Sequence, residues 1–103
     1  MIKIKVKYLK STKEKSIGLI GNKNITPVYF ETRFGIHTFG VLEQIDILIL
    51  NKNNKVVKIK NSLKPNSFFF WNPKYTKVVE LKNNEIKKLG ITLNNVLILE
   101  YAD

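Results

Sequence analysis

Two side chains in this sequence could handle a proton together. His37 is the only histidine, and Asp46 follows it closely. If residues 36 to 41 and 45 to 50 form a hairpin turning near Leu42 and Glu43, Phe39 faces Asp46 and His37 faces Leu48. His37 and Asp46 then become diagonal neighbours, about 7 to 8 Å apart between Cα atoms and within side-chain reach. Asp46 would share its face with Leu48 and Leu50, at the margin of apolar surface, where a carboxylate must find a donor. A carboxylate beside an imidazole favours the protonated ring and raises its pKa, so the pair could bind a ligand or move a proton. The same residues could instead tie strands together by hydrogen bonds. Thr38 alternates to the other face, and no Ser or Cys nucleophile stands near the pair, which leaves a hydrolytic triad unassembled. With Arg33, the only arginine, and Trp71, the residues His37, Thr38 and Asp46 form the candidate ligand-binding set.

A second group of residues suits a different chemistry. Phe68-Phe69-Phe70-Trp71 is four aromatics in succession. Side chains of an extended segment alternate faces, so two of the four point outward. Outward rings can stack bases or sugars; the alternative is a lid over one end of the core, bracketed by Pro65 and Pro73. Lys3, Lys5 and Lys7 form one row at strand period, and Lys58 and Lys60 another. If those strands are neighbours, the rows make a basic face for nucleic acid. Lysines on edge strands also prevent edge-to-edge association.

Composition narrows the remaining options. The chain has 103 residues, 44% hydrophobic and 25% charged, which suits one domain spanning 1–103 with one core. It has no cysteine, which excludes disulfides, thiolate metal sites and a cysteine nucleophile. One histidine excludes His-pair metal motifs, and the carboxylates show no ligand spacing, so no metal is expected. The glycines form no phosphate-cradling pattern, so no cofactor is expected. With 18 basic and 8 acidic residues, the net charge is +10. Seventeen of the basic residues are Lys, accompanied by 12 Asn and 13 Ile, a trio that AT-rich codons favour. Arg, with its bidentate fork for phosphate, is almost absent. No apolar run approaches the roughly 18 residues of a membrane span, and the N-terminal segment breaks its apolar run every second residue. The expected location is cytoplasmic, with no membrane partner.

The elements that would position these groups are short. Alternation predicts a strand over residues 2 to 8, with Ile2, Ile4, Val6 and Tyr8 opposite the lysines. Ser11 and Glu14 have capping-box spacing before a helix expected over Thr12 to Ile20. Strands are expected at 27 to 30, 35 to 41 and 45 to 50. Asn51-Lys52-Asn53-Asn54 then turns a hairpin into a strand over 55 to 60, with Val57 and Ile59 on one face against Lys58 and Lys60. Residues 61 to 75 read as a long loop. Another strand over 76 to 81, a helix over 84 to 89 stopped by Gly90, and a last strand over 96 to 101 complete the chain. The fold class is mainly β, barrel-like or sandwich-like and mostly antiparallel, with one or two short helices. Ile47, Ile49, Val57 and Leu97 are expected to be buried.

Ile36-His37-Thr38-Phe39-Gly40, then Ile45-Asp46, then Val56-Val57, resembles domain of unknown function family 192, also catalogued as uncharacterised protein family 127. The usual centre of that family reads Ile-His-Thr-Phe-Gly-Met, then Ile-Asp, an apolar strand, a turn and Val-Val. Gly18-Leu19-Ile20, Leu63-Lys64-Pro65 and Val78-Val79-Glu80-Leu81 are similar to its flanking segments, while Val41 stands where Met is usual. The resemblance covers residues 12 to 101. It implies a compact, mostly β domain and no known activity.

Together these readings favour a non-catalytic binding module whose basic face meets a polyanion such as RNA, or a ribonucleoprotein. A small-ligand pocket around His37 and Asp46, for a sugar-like or carboxylate ligand, is the alternative. An enzyme using His37 as its acid-base group is the third reading.

Overall fold

The computed structural model describes residues 1–9, 27–33 and 35–101. The helix expected over Thr12 to Ile20, its Ser11 and Glu14 cap and the Gly18-Leu19-Ile20 segment lie outside the described residues. The fold is mainly β. Among the described residues the strands are β1 (Ile2–Tyr8), β2 (Val28–Glu31), β3 (Ile36–His37), β4 (Ile45–Leu50), β5 (Val56–Leu63), β6 (Phe68–Phe69), β7 (Lys77–Lys82) and β8 (Leu97–Tyr101), with one short helix, α1 (Glu85–Leu89), between β7 and β8.

Six strands form one sheet in the order β5-β4-β7-β2-β1-β8. β1 runs parallel to both of its neighbours, and the other pairings are antiparallel. The sheet curls until its two edges meet at one end. There Lys55 bridges Val96, the Val56 amide donates to the Asn95 carbonyl, and the Leu97 amide donates to the Asn54 carbonyl. The result is a half-barrel.

Alternation decides what lies inside the curl. Ile4 and Val6 of β1 point inward while Lys3, Lys5 and Lys7 stay in water. They join Tyr29, Leu48, Leu50, Val79 and Leu81, and Ile86 of α1 closes over this core with Ile91. The opposite residues of the central strands, among them Phe30, Ile47, Ile49 and Val78, form a second core on the outer face. β3 and β6 pair as a small separate sheet that covers it, through Phe69 and the half-buried Ile36, and Trp71 joins them. β4 is apolar in five of six positions because it is covered on both faces and flanked on both edges.

The hairpin expected between 36 to 41 and 45 to 50 does not form. β3 pairs instead with β6, matching Ile36 to Phe69 and His37 to Phe68, while both edges of β4 are taken by the longer β5 and β7. After His37 the chain turns rather than extends. Val41 N–H donates to the Thr38 carbonyl, and Gly40 sits at φ 84°, where glycine alone is comfortable.

The β4–β5 hairpin forms as expected. Asn51 Oδ1 accepts from the Asn53 and Lys55 amides, and Asn54 takes φ 62°. β5 runs three residues past Lys60, to Leu63, and the expected loop contains β6. Ile47, Ile49 and Leu97 are buried, but Val57 is only half-buried. The reason is a bulge: Ile49 pairs with Lys58 and Leu50 with Val56, leaving Val57 over. Val57 therefore packs against the outer core and Ile59 against the inner one, so they do not share the expected face.

Candidate functional site

Asp46 is fully buried on the inner face of β4, on the side of Leu48 and Leu50. Its environment is polar all the same. Ser62 N–H donates to Oδ1 at 2.9 Å, and Ile86 N–H, in the first turn of α1, donates to Oδ2 at 3.1 Å. β5 is bulged opposite this carboxylate, because Ile45 pairs with Leu63 and Ile47 with Lys60, so Asn61 and Ser62 face one residue. Ser62 adopts φ 55°, which aims its amide at the carboxylate, and its hydroxyl donates to Asn83 Oδ1 at 2.6 Å. The residue before α1, Asn84, makes no side-chain cap. Asp46 supplies that cap from another strand.

His37 is elsewhere. It is exposed on β3, its Nδ1 accepts from the Phe39 amide at 3.3 Å, and its ring stacks on Phe39 with centroids 4.9 Å apart. The expected His37–Asp46 pair is thus replaced by two unrelated environments. The carboxylate expected beside the imidazole is committed to two backbone amides.

Three further candidates also have clear placements. Thr38 is buried, and its hydroxyl donates to the Lys64 carbonyl at 2.7 Å and accepts from the Ser67 amide at 2.9 Å. It fastens the turn after β3 to the loop before β6. Trp71 is buried in the outer core with its indole N–H donating to the Tyr75 carbonyl at 2.7 Å, so it offers no stacking face. Arg33 is exposed beside a cleft of about 320 Å³ shared with Glu31, Thr32 and Thr76, apart from the other candidates.

Phe69 and Trp71 point inward, so Phe68 and Phe70 point outward, as alternation requires. They meet the residues that follow His37. Phe39, Phe68 and Phe70 are 45%, 59% and 61% exposed. Phe68 and Phe70 lie parallel, 5.9 Å between centroids, and Phe39 meets Phe68 edge-to-face at 5.0 Å. With His37 they form a continuous strip of four rings at the surface. The other aromatic cluster, Tyr8, Tyr29 and Tyr101, is knit within 6.2 Å, with Tyr29 buried; burial first and the Glu31 charge second push that phenol well above its usual pKa.

Beside Phe68 and Phe70 runs a groove of about 650 Å³ that Lys58, Lys60, Lys64 and Ser67 help to line. The bulge at Val57 turns Lys58 and Lys60 outward onto this side. Lys58 Nζ sits 5.3 Å above the Phe69 ring and donates to the Phe70 carbonyl at 3.4 Å. Among the described residues no carboxylate pairs with any of the three lysines. The other row differs. Lys3 Nζ lies 3.2 Å from Glu100, and β1 is separated from β5 by β4, β7 and β2 within the sheet. β1 and β5 are therefore not paired neighbours, the arrangement on which one basic face from both rows was expected.

Sequence reasoning missed Phe39 and Lys64 as surface partners, because only the β3–β6 pairing brings residues 38 and 64 to 67 together. It also passed over Glu80. This residue interrupts an apolar strand, and that was its signal; it is buried on the outer face of β7 between Ile47 and Val28. Burial pushes its carboxyl up to about 7. Among the described residues, no group of three or more Asp, Glu or His is placed to hold a metal ion. Nor is any helix among them long and apolar enough to cross a membrane.

No protein-family model matches the chain, and no curated protein matches it. Solved structures do. A protein of unknown function from Novosphingobium aromaticivorans superposes with a TM-score of 0.75 at 14% identity, over 86% of this chain and 70% of its own. A "putative transcription regulator" from Sinorhizobium meliloti superposes with a TM-score of 0.70 at 15% identity, over 86% of this chain and 76% of its own. At these identities the likeness shows a shared fold.

Proposed function

We propose that this chain is a non-catalytic binding module that holds a polyanion in the groove beside Phe68 and Phe70. One observation carries the reading: Lys58, Lys60 and Lys64 converge, without carboxylate partners among the described residues, on a groove walled by exposed rings. Unpaired lysines at a concave apolar wall concentrate positive potential where a polyanion can displace counterions. The net charge of +10 adds long-range attraction. RNA, free or within a ribonucleoprotein, in a cytoplasmic setting, is the partner that fits this chemistry. Membership of domain of unknown function family 192 belongs to the same proposal, on the Ile36 to Gly40, Ile45-Asp46 and Val56-Val57 motif.

The test is a salt series with a polyphosphate or RNA probe. Binding weakens as salt rises, with a slope proportional to the phosphates neutralised. Changing Lys58, Lys60 and Lys64 together to Gln should weaken binding and lower the log–log slope by roughly 2 to 3. Changing Lys3, Lys5 and Lys7 should do less. The opposite ranking would move the site to β1, and absence of binding at low salt would remove the function.

A further inference from the structure

The geometry points to an unpaired nucleic-acid strand as the occupant of the groove, an inference that rests on the polyanion reading and narrows it. A simple polyphosphate needs only lysines. Here the lysines share their groove with rings that the fold leaves in water and holds in place. Phe68, on β6, and Phe70, just past its end, stand two residues apart on the outward side, their planes within 11° of each other. Phe70 is seated by Gly35. A Cβ at that position would lie 2.5 Å from Phe70 Cδ1 and 2.9 Å from Cε1, and Gly35 takes φ +90°. Only glycine lets the ring settle there, so the platform is formed before any ligand arrives.

An aromatic platform beside a basic groove is the arrangement that takes bases by stacking and backbone by charge. Bases in a duplex have their faces covered by neighbouring pairs, so the rings favour a strand whose bases are free. Lys58 and Lys60 are separated by two residues of strand, roughly 6.6 Å at the usual rise, which matches the interval between successive phosphates of one strand. The groove holds no arginine, and Arg33 lies at a different cleft. Without a guanidinium the site lacks a rigid planar fork for reading base edges, and every base offers a stacking face. Recognition should depend little on sequence.

The test compares three probes with the full chain at one salt concentration: a single-stranded oligonucleotide, a duplex of the same length, and inorganic polyphosphate. The single strand should bind about tenfold or more tighter than the duplex. The variant Phe68→Leu with Phe70→Leu should lose about fivefold to 150-fold in single-strand affinity, while polyphosphate affinity stays within about twofold. Both positions are exposed, and circular dichroism confirms that the variant keeps its fold. If the single strand, duplex and polyphosphate bind alike, or the variant weakens all three equally, the strand proposal is overturned and the polyanion reading stands. If no probe binds at low salt, both fall.

Discussion

Asp46 and Phe68 each break the burial rule for their residue type, in opposite directions. Carboxylates are among the side chains least often buried, yet Asp46 is fully enclosed. Phenylalanine usually fills a core, yet Phe68 and its neighbour Phe70 lie more than half in water. The fold accounts for the first exception. Both Asp46 oxygens accept backbone amides, so the carboxylate closes a bulge and caps a helix in one place. Among the described residues nothing accounts for the second, since the outer core is already filled by Phe69 and Trp71. A buried polar group whose partners are all internal is explained by architecture, whereas an exposed apolar cluster leaves a surface open to contact.

Removing Asp46 should damage the fold most. Asp46→Ala orphans the Ser62 and Ile86 amides, each costing about 1 to 3 kcal/mol, so the combined loss is on the order of 2 to 6 kcal/mol by urea denaturation. Affinity for polyphosphate, per folded molecule, should not change. A stable Asp46→Ala protein that no longer binds would merge the two regions that the structure separates.

Glu80 lies between these extremes, buried like Asp46 but with no hydrogen-bond partner among the described residues. Its folded pKa of about 7 stands above the ordinary 4.5, so the folded state holds this proton more tightly than the unfolded chain. Its contribution to stability is therefore fully present below about pH 4.5 and is lost as pH climbs towards 7, after which it levels off. Up to about 3 kcal/mol is at stake from the size of the shift. Glu80→Gln should flatten this decline and raise stability at pH 8 by roughly 1 to 3 kcal/mol, measured by thermal or urea unfolding across pH. An unchanged pH profile would place the sensitivity in another group.

Thr38→Val removes a hydroxyl that both donates and accepts, leaving the Lys64 carbonyl and Ser67 amide short of a partner. A stability loss of about 1 to 2 kcal/mol is expected, together with weaker binding, because the lost bonds hold Phe39 near Phe68. The smallest effect belongs to His37. His37→Phe should shift stability by less than about 0.5 kcal/mol, since the side chain is exposed and bonds only within its own turn. A loss of 2 kcal/mol there would restore a structural role for the imidazole.

These contrasts also mark how far the sequence could be read. Period-2 alternation located β1, because an amphipathic strand writes its two environments directly into residue order, while β4 was legible as a short run of apolar residues. The need of Asp46 for a donor was legible from the apolar residues around it. Its actual donors were not, since Ser62 and Ile86 reach it through a bulge and a helix start that carry no side-chain signature. His37 and Asp46 looked like partners because they are close in sequence. What separated them was competition for strand edges, a tertiary outcome: β4 pairs with β5 and β7, leaving β3 to pair with β6. Alternation in 68 to 71 was legible, though not which pair faced outward. That depended on which rings the outer core could accept.

The most direct test of a separate binding surface is an amide NMR titration of the whole chain with a short single-stranded oligonucleotide at low salt. Shifts should concentrate on Lys58, Lys60, Lys64 and Ser67 to Phe70, with Phe39 following, while Asp46, Ile86 and the Lys3, Lys5 and Lys7 amides of β1 stay in place. Perturbations centred on β1, with the groove beside Phe68 unmoved, would contradict the account.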